Sequence, residues 1–479
     1  MNSWANSAGL DLHLDLRGVV TPGARGVREL LTGALRDAVR SGRLAPGAVL
    51  PPSRGLAADL GLARNTVAEA YAELVAEGWL ASRRGSGTRV SRPVANPSPP
   101  RARGTWPAPP THNLLPGSPD VSAFPRREWL AAGRRALTTA PTEALRVGDP
   151  RGRPELRAAL AEYLSRARGV RASAESIVIC AGTRHAVELL ARVFGDERPI
   201  AVEAYNLFIF REAIAAIGGS TVPIRVDRDG AVVTDLDSLD TPAALLTSAH
   251  HFPQGVPLHP SRRIAVVNWA KRTGGYVLED DYDGEFRYDR QPVGAVQSLD
   301  PDCVVYLGST SKSLSPVLRL GWMVLPDELI DAVVSAAGGA QFYVDAIAQL
   351  TLAEFIAAGH YDRHIRRMRM RYRRRRDALI DALAAFDVGV GGLAAGLHLL
   401  LTLPDGAEHH VLRRAAEASV ALSGLARLRH PDASGPVVDG VVVGFGTPPD
   451  HGFTAAVGAM CGVLDASGLL RRAAHASTK

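Results

Sequence analysis

The sequence predicts an α/β protein with two domains: a small helical domain that ends in a β-hairpin, and a larger domain built on a parallel sheet. Residues up to about Val90 show helical apolar periodicity, residues 91–111 contain seven prolines, and from about Asn113 short apolar runs alternate with amphipathic helices. A proline-rich stretch holds neither a helix nor a central strand. Alternation of strands and helices is typical of a parallel sheet. The predicted boundaries are therefore 1–90 for the first domain, 91–112 for the linker and 113–479 for the second domain.

The composition indicates a soluble globular protein of the cytoplasm. The 479 residues suffice for two or three domains. Apolar runs stay below the roughly 18 residues of a membrane span, and the N-terminus lacks the pattern of a secretory signal. Cys180, Cys303 and Cys461 are scattered without metal-ligand spacing, which predicts neither a disulfide framework nor a metal site. The net charge of +6 permits nucleic-acid binding without establishing it.

Three helices are predicted in the first domain. The first spans Gly26 to Ser41, with Val27, Leu30, Leu31, Leu35, Ala38 and Val39 on one apolar face. The second begins near Ser53, a candidate N-cap, and ends at the turn residue Gly61. In the third, Val67, Ala70, Tyr71 and Leu74 share a buried face. This arrangement leaves Arg64, Asn65 and Thr66 at the exposed helix N-terminus, where helix-turn-helix proteins present base-contacting residues.

A basic hairpin follows the third helix. Two short apolar runs flank Gly85-Ser-Gly, with arginines at the tip, and such a wing meets phosphate or the minor groove. Residues 25–90 resemble a GntR-type winged-helix domain, on the motifs Gly42-Arg-Leu-Ala-Pro-Gly, Leu50-Pro-Pro-Ser-Arg, Arg64-Asn-Thr-Val, Ala70-Tyr, Glu77-Gly-Trp and Gly85-Ser-Gly-Thr-Arg-Val. The resemblance implies double-stranded operator DNA as a partner. The expected contacts come from Ser53, Arg54, Arg64, Asn65, Thr66, Arg83, Arg84, Gly85 and Ser86.

Three predicted strand ends in the second domain carry chemistry suited to pyridoxal 5'-phosphate (PLP). The strand Ile177–Cys180 leads into Ala181-Gly-Thr, a glycine loop at a helix N-terminus and hence a phosphate seat. A second strand ends at Asp280, and a third is followed by Lys312. PLP needs a lysine for its aldehyde and a carboxylate beside its pyridine nitrogen. In open α/β sheets such groups gather at the carboxyl ends of the strands.

Residues 113–479 resemble a fold-type I aminotransferase, with a large α/β domain and a small C-terminal α+β domain. With the N-terminal reader, the whole chain resembles the MocR (GabR-like) regulators, PdxR-like members included. The motifs are Val147-Gly-Asp-Pro-Arg-Gly, His251-Phe-Pro-Gln-Gly, Glu279-Asp-Asp-Tyr-Asp-Gly-Glu-Phe-Arg-Tyr and Ser309-Thr-Ser-Lys-Ser-Leu-Ser-Pro-Val-Leu-Arg-Leu-Gly-Trp. The resemblance implies a homodimer in which Lys312 forms the Schiff base with PLP, Asp280 pairs with the pyridine nitrogen and Tyr282 approaches the phenolic oxygen. The implied phosphate-binding residues are Gly182, Thr183, Ser309, Ser311 and Arg319.

The chain departs from this family pattern at several positions. Leu207 stands where a ring-stacking tyrosine is usual, unless Tyr205 takes that place, and Val147 stands where a tyrosine often precedes Gly-Asp-Pro. The last core strand lacks the arginine with which the enzymes bind a substrate carboxylate; Arg427 or Arg429 could bind an effector instead. These departures predict altered ligand binding and at most residual transaminase activity.

The sequence therefore predicts a PLP-dependent transcriptional regulator that senses PLP or a small amine or amino acid, with control of PLP synthesis as one candidate role. Two alternatives stay open. The protein could be an active aminotransferase with a DNA-binding appendage, or a DNA-binding protein whose second domain serves dimerisation only. The arginine-rich helix around residues 363–376 is interpreted as a solvated face, with a contact to the DNA backbone as the alternative. The adjacent His250 and His251 favour polar lining over a metal site.

Overall fold

In the computed structural model, the chain separates between residues 108 and 109 into two units. The structure describes residues 26–83, 87–91, 109–288, 293–339 and 344–471. Arg84, Gly85 and Ser86, which the sequence predicts as DNA contacts, lie outside these ranges, so their assignment stays a prediction.

The first unit is a winged helix-turn-helix. Its described part contains α1 (Val27–Arg40), β1 (Val49–Leu50), α2 (Ser53–Leu60), α3 (Arg64–Ala76), β2 (Leu80–Arg83) and β3 (Gly87–Val90). The strands form an antiparallel sheet in the order β1-β3-β2, in which Leu80 pairs with Val90. Gly61, with φ of 68°, closes α2 in the left-handed conformation that glycine adopts without strain. The turn after Gly61 leads directly into α3, as predicted.

Two details of the predicted helices are wrong. Leu30 is 43% exposed, whereas Leu31 beside it is fully buried. The buried stripe of α1 runs through Leu31, Leu35 and Ala38, and Leu30 lies outside it. Ser53 does not cap α2, because the helix already begins there and the cap position is held by Pro52, which makes no side-chain cap bond.

The second unit alternates helices and strands. Its described helices are α4 (Arg126–Thr139), α5 (Pro154–Arg168), α6 (Thr183–Phe194), α7 (Phe208–Ala215), α8 (Pro260–Thr273), α9 (Asp327–Ala336), α10 (Ala346–Ala357), α11 (His360–Leu383), α12 (Ala407–Glu417) and α13 (Phe453–Ala466). Its described strands are β4 (His112–Asn113), β5 (Ile177–Cys180), β6 (Ile200–Glu203), β7 (Thr221–Ile224), β8 (Val226–Asp227), β9 (Gly230–Ala231), β10 (Ala243–Leu246), β11 (Tyr276–Asp280), β12 (Val304–Ser309), β13 (Gly321–Val324), β14 (Gly389–Gly391), β15 (His398–Thr402), β16 (Val420–Ala421), β17 (Ser423–Gly424) and β18 (Gly440–Gly444).

The main sheet has the strand order β5-β13-β12-β11-β10-β6-β7. Strand β13 runs antiparallel to both of its neighbours, and the other pairs are parallel. Every residue of β5, β6, β10 and β12 is buried, as expected for a sheet covered by helices on both faces. The predicted α/β architecture is confirmed, with β13 as the antiparallel exception.

A smaller C-terminal part contains the antiparallel sheet β14-β15-β18-β17 together with α12 and α13. Strand β4 pairs in parallel with β16, so that His112 lies opposite Val420. The first residues of the second unit are thereby attached to its C-terminal part. Among the described residues we find no helix with the length and apolar character that a membrane crossing requires.

Candidate functional site

A cavity of about 230 Å³ lies where the strands of the main sheet end. Its wall receives residues that follow the carboxyl ends of β5, β6, β10, β11 and β12, because parallel strands deliver their following loops to one edge of the sheet. The residues that the sequence predicts around a cofactor all line this cavity: Gly182, Thr183, Asp280, Tyr282, Ser309, Ser311, Lys312 and Arg319.

One part of the cavity is suited to an anion. Gly182, with φ of 100°, precedes the first residue of α6, so the positive end of that helix faces the loop. A Cβ atom on Gly321 would lie 2.7 Å from Cα of Gly182, so the close approach of β13 to the loop requires a glycine there. The guanidinium of Arg319 also lines this wall, and we find no carboxylate partner for it among the described residues. A helix N-terminus beside an uncompensated cation is a phosphate site in many proteins.

Asp280 provides a buried acceptor. Its side chain is at the end of β11 and the residue is only 4% exposed. Oδ1 has no hydrogen-bond partner within the described part of the chain. Burial raises the pKa of this carboxyl to about 7, and the charge of Lys312 acts in the opposite direction. A buried acceptor without a partner is costly, so a ligand N–H group at this point would satisfy it.

Lys312 provides a nucleophile. Burial lowers the pKa of its ammonium, although Asp280 and Asp283 act in the opposite direction. Its Nζ donates a hydrogen bond of 2.5 Å to the carbonyl oxygen of Gly117. A lysine with a lowered pKa holds more of the neutral amine, which is the form that condenses with an aldehyde.

Several lining residues were not singled out from the sequence. Asn206 and Thr247 follow β6 and β10 in the same way that Asp280 follows its strand, so the strand-end rule would have found them. Oδ1 of Asn206 is buried and has no partner among the described residues. His398 comes from β15 in the C-terminal part, and local sequence gives no signal for its approach.

The structure distinguishes between the two candidates for the ring-facing position. Leu207 lines the cavity, whereas Tyr205 is not among the lining residues. Tyr205 is instead buried in a cluster with Phe252 and Leu428. The residue of this pair that lines the described wall is therefore aliphatic, and its position against a cofactor ring stays a prediction.

The two arginines predicted for effector binding do not line the described wall of the cavity. The guanidinium of Arg427 stacks over the ring of Phe208 at 4.1 Å from its centroid. Arg429 donates hydrogen bonds from Nη2 to the carbonyl oxygens of Ala433 and Gly435. Both guanidinium groups thus have partners inside the protein, and their role toward an effector stays a prediction.

The first unit presents a basic polar surface at the helix-turn-helix. Arg54, Arg64, Asn65 and Arg83 are exposed, and Ser53 and Thr66 are half-buried. Arg28 and Arg36 of α1 pair with glutamates. By contrast, we find no carboxylate within 4.0 Å of Arg54, Arg64 or Arg83 in the part of the unit that the structure describes. The guanidinium group of Arg64 at the start of α3, and those of Arg54 in α2 and Arg83 in β2, are available to phosphates and base edges.

Comparison with known proteins gives the same division. Residues 28–90 match the family of bacterial regulatory proteins, gntR family, and residues 117–428 match aminotransferase class I and II. The chain is 32% identical to the HTH-type pyridoxine biosynthesis transcriptional regulator PdxR of Corynebacterium glutamicum, over 87% of this chain and 91% of that protein. This chain belongs to the MocR-like family of HTH-type transcriptional regulators. It is also 32% identical to the probable rhizopine catabolism regulatory protein MocR of Rhizobium meliloti, over 80% of this chain and 83% of that protein.

The second unit of this MocR-like regulator has the fold of class I and II aminotransferases. The crystal structure of Pyrococcus horikoshii kynurenine aminotransferase in complex with PMP is 25% identical, with a TM-score of 0.67 over 74% of this chain and 90% of that one. An archaeal alanine:glyoxylate aminotransferase, at 22% identity and a TM-score of 0.68, shares the fold over 74% of this chain and 91% of its own.

Proposed function

We propose that this MocR-like regulator binds PLP at Lys312 and uses the occupancy of that cavity to set its affinity for operator DNA. The observation that carries the proposal is the presence, in one cavity, of an amine with a lowered pKa, a cationic loop, and a buried carboxylate oxygen that has no partner among the described residues. When bound, PLP supplies an aldehyde that condenses with amines and a ring that withdraws electrons.

Each group in the cavity has a part in holding the cofactor. Lys312 would present its amine to the aldehyde, and Oδ1 of Asp280, which has no partner among the described residues, would accept the N–H of the pyridine ring. Tyr282 provides a hydroxyl for the phenolic oxygen. Leu207, which lines the cavity, would offer an aliphatic surface to the ring. The phosphate is bound by Gly182, Thr183, Ser309, Ser311 and Arg319.

PLP itself is the first candidate effector, and control of PLP synthesis the first candidate role. The name of the Corynebacterium relative refers to pyridoxine biosynthesis. In the described wall, the only arginines are Arg184 and Arg319. Arg184 is the second residue of α6, and the guanidinium of Arg319 lies near Gly182 at the start of that helix. A second ligand with a carboxylate would therefore find no further arginine in this wall. Small amines and amino acids form the alternative set of effectors.

We propose in addition that the protein is a homodimer. Leu130 and Leu137 on α4, Leu145 in the short turn that follows α4, and Ile347 on α10 are all exposed. These elements pack against one another, with Ala136, Ala144 and Leu350 as a small buried cluster between them. Exposed apolar side chains on adjoining elements mark surfaces that bind other proteins. Mass photometry should show a dimer for the wild type and monomers for Leu130→Glu combined with Leu137→Glu.

The test of cofactor binding uses the small number of lysines, which are Lys271, Lys312 and Lys479. Purified protein is titrated with PLP, reduced with borohydride, digested and mapped by mass spectrometry. We expect the phosphopyridoxyl mass on the peptide with Lys312, and its loss in Lys312→Ala. Lys271→Ala is the matched control, because Lys271 is a surface residue paired with Asp300 at 2.9 Å. Labelling spread equally over the lysines, or no labelling, would contradict the proposal.

The regulatory part is tested by fluorescence anisotropy on operator duplexes that the wild type enriches from a random-sequence pool. We expect the DNA affinity of the wild type, and not that of Lys312→Ala, to change on addition of PLP. Equal DNA affinities with and without PLP would favour the alternative in which the second unit serves dimerisation only. Rapid conversion of common amino donors would favour the active-aminotransferase alternative.

A further inference from the structure

Tyr282 is held by two buried residues that the proposed function does not use. Its hydroxyl lies 3.1 Å from Nδ1 of His250, and the same Nδ1 lies 2.9 Å from Oδ2 of Asp283. His250 is 3% exposed and Asp283 is 2% exposed. Neither residue lines the described cavity wall, so both act on its contents through Tyr282.

The donors and acceptors in this group have a definite order. A carboxylate only accepts hydrogen bonds, so the imidazole nitrogen facing Asp283 carries a proton and donates it. That N–H is shared with the oxygen of Tyr282, which therefore accepts from His250. Asp283 also accepts a side-chain hydrogen bond from Tyr282, so a ligand oxygen in the cavity would compete with this carboxylate for the phenol proton. Burial and the adjacent Asp283 raise the pKa of Tyr282 well above its usual range, which keeps this proton in place.

The backbone is shaped around the imidazole. A Cβ atom on Gly396, where φ is 69°, would lie 2.5 Å from Oδ2 of Asp283 and 2.6 Å from Nδ1 of His250. A Cβ atom on Gly255, where φ is 71°, would lie 3.3 Å from Nε2 of His250. Two loops thus come close to the ring at residues without side chains.

We infer that His250 and Asp283 are positioning residues that fix the Tyr282 hydroxyl as a hydrogen-bond donor into the cavity, so that the site selects phosphorylated pyridine aldehydes bearing a hydroxyl next to the aldehyde. The selected group is the ring oxygen, which is an acceptor when deprotonated. A hydrogen bond to a charged partner is stronger than one between neutral groups. The inference rests on the proposed function, because it needs PLP in this cavity.

The experiment compares PLP with the analogue of PLP that lacks the ring hydroxyl. Dissociation constants are measured by absorbance titration of the full-length protein. We expect the wild type to prefer PLP by about 10-fold or more. Tyr282→Phe and His250→Leu should reduce this preference to about 2-fold, since each removes one link to the ring oxygen. His250→Asn, whose amide N–H can replace the Nδ1 donor, should restore most of the preference.

His430→Leu is the matched control. His430 is also buried and bonded to a hydroxyl, that of Thr221 at 2.9 Å, but it does not line the described cavity or contact Tyr282. This variant should keep the full preference for PLP. If His250→Leu does not fold, as judged by circular dichroism, Asp283→Asn provides the measurement, because it removes the acceptor that orients His250 and should also reduce the preference.

Two failures can be distinguished. If His250→Leu weakens both ligands by the same factor, the preference is unchanged and His250 is only structural, which overturns this inference and leaves the proposed function intact. If the wild type binds neither ligand at Lys312, the proposed function fails and this inference fails with it.

Discussion

Nζ of Lys312 donates a hydrogen bond of 2.5 Å to the carbonyl oxygen of Gly117, in the segment that joins β4 to α4. The same segment is bonded to the C-terminal part, because the hydroxyl of Thr447 donates to the carbonyl oxygen of Leu115 at 2.6 Å. The amine that we propose for PLP binding is therefore in direct contact with the residues that follow the predicted linker. Any reaction of Lys312 removes or changes this hydrogen bond.

Gly117→Ala should weaken both folding and PLP binding. Gly117 has φ of 101°, and an added Cβ would lie 3.3 Å from Nζ of Lys312. The strained backbone should cost about 1–3 kcal/mol in the free energy of unfolding, measured in urea. Gly462→Ala is the control: it lies within α13 with open space around it and should stabilise the protein by about 0.5–1 kcal/mol. A gain in stability for Gly117→Ala would show that the folded protein does not require a positive φ at this residue.

Glu203 should make the protein without PLP less stable at higher pH. Burial raises the pKa of its carboxyl from 4.5 to about 8, and the side chain accepts bonds from the N–H and hydroxyl of Thr247. The folded protein binds this proton more tightly than the unfolded chain does. The free energy of unfolding therefore falls as the pH rises from about 4.5 to about 8.

The variant Glu203→Gln keeps the shape and loses the proton linkage. Between pH 5.5 and pH 8, its free energy of unfolding in urea should fall less than that of the wild type, by on the order of 2–3 kcal/mol. Asp280 stays in both proteins, so its own titration contributes to both and largely cancels from the difference. Parallel pH profiles for the two proteins would rule out a protonated Glu203.

Arg319→Gln should weaken binding of PLP much more than binding of pyridoxal, which has no phosphate. Loss of a charge-assisted hydrogen bond predicts a decrease of about 10–100-fold for PLP and less than about 3-fold for pyridoxal. Arg192→Gln, on helix α6, is the control, because Arg192 pairs with Glu188 at 2.9 Å and does not line the described cavity. Equal losses for both ligands would place the phosphate elsewhere.

Arg64→Ala should reduce binding to selected operator duplexes. If the side chain contacts a phosphate, the slope of log affinity against log salt concentration should also become shallower by about 1, because one counterion fewer is released. Loss of a base contact would instead cost about 1–3 kcal/mol of discrimination at one position of the operator. Arg28→Ala is the control, since Arg28 is already engaged with Glu29 at 2.9 Å. Anisotropy at several salt concentrations separates the two cases, and unchanged binding would exclude Arg64 from the interface.

The gathering of those lining residues that end or follow strands of the main sheet could be predicted, because parallel strands end at one edge of the sheet. Asp280 and Lys312 were found in this way, and Asn206 was open to the same argument. The position of Arg427 could not be predicted, since its stacking on Phe208 depends on how the C-terminal part folds back. His398 reaches the cavity from a strand far along the chain. The prediction that Ser53 caps α2 was wrong because the helix begins at Ser53 itself, with Pro52 at the cap position.

The parallel pairing of β4 with β16 also has a mechanical consequence. His112 and Asn113 are hydrogen-bonded to a strand more than 300 residues further along the chain. If the C-terminal part shifts against the main sheet when the cavity fills, β4 is carried along with it. The downstream end of the predicted linker would move with this strand.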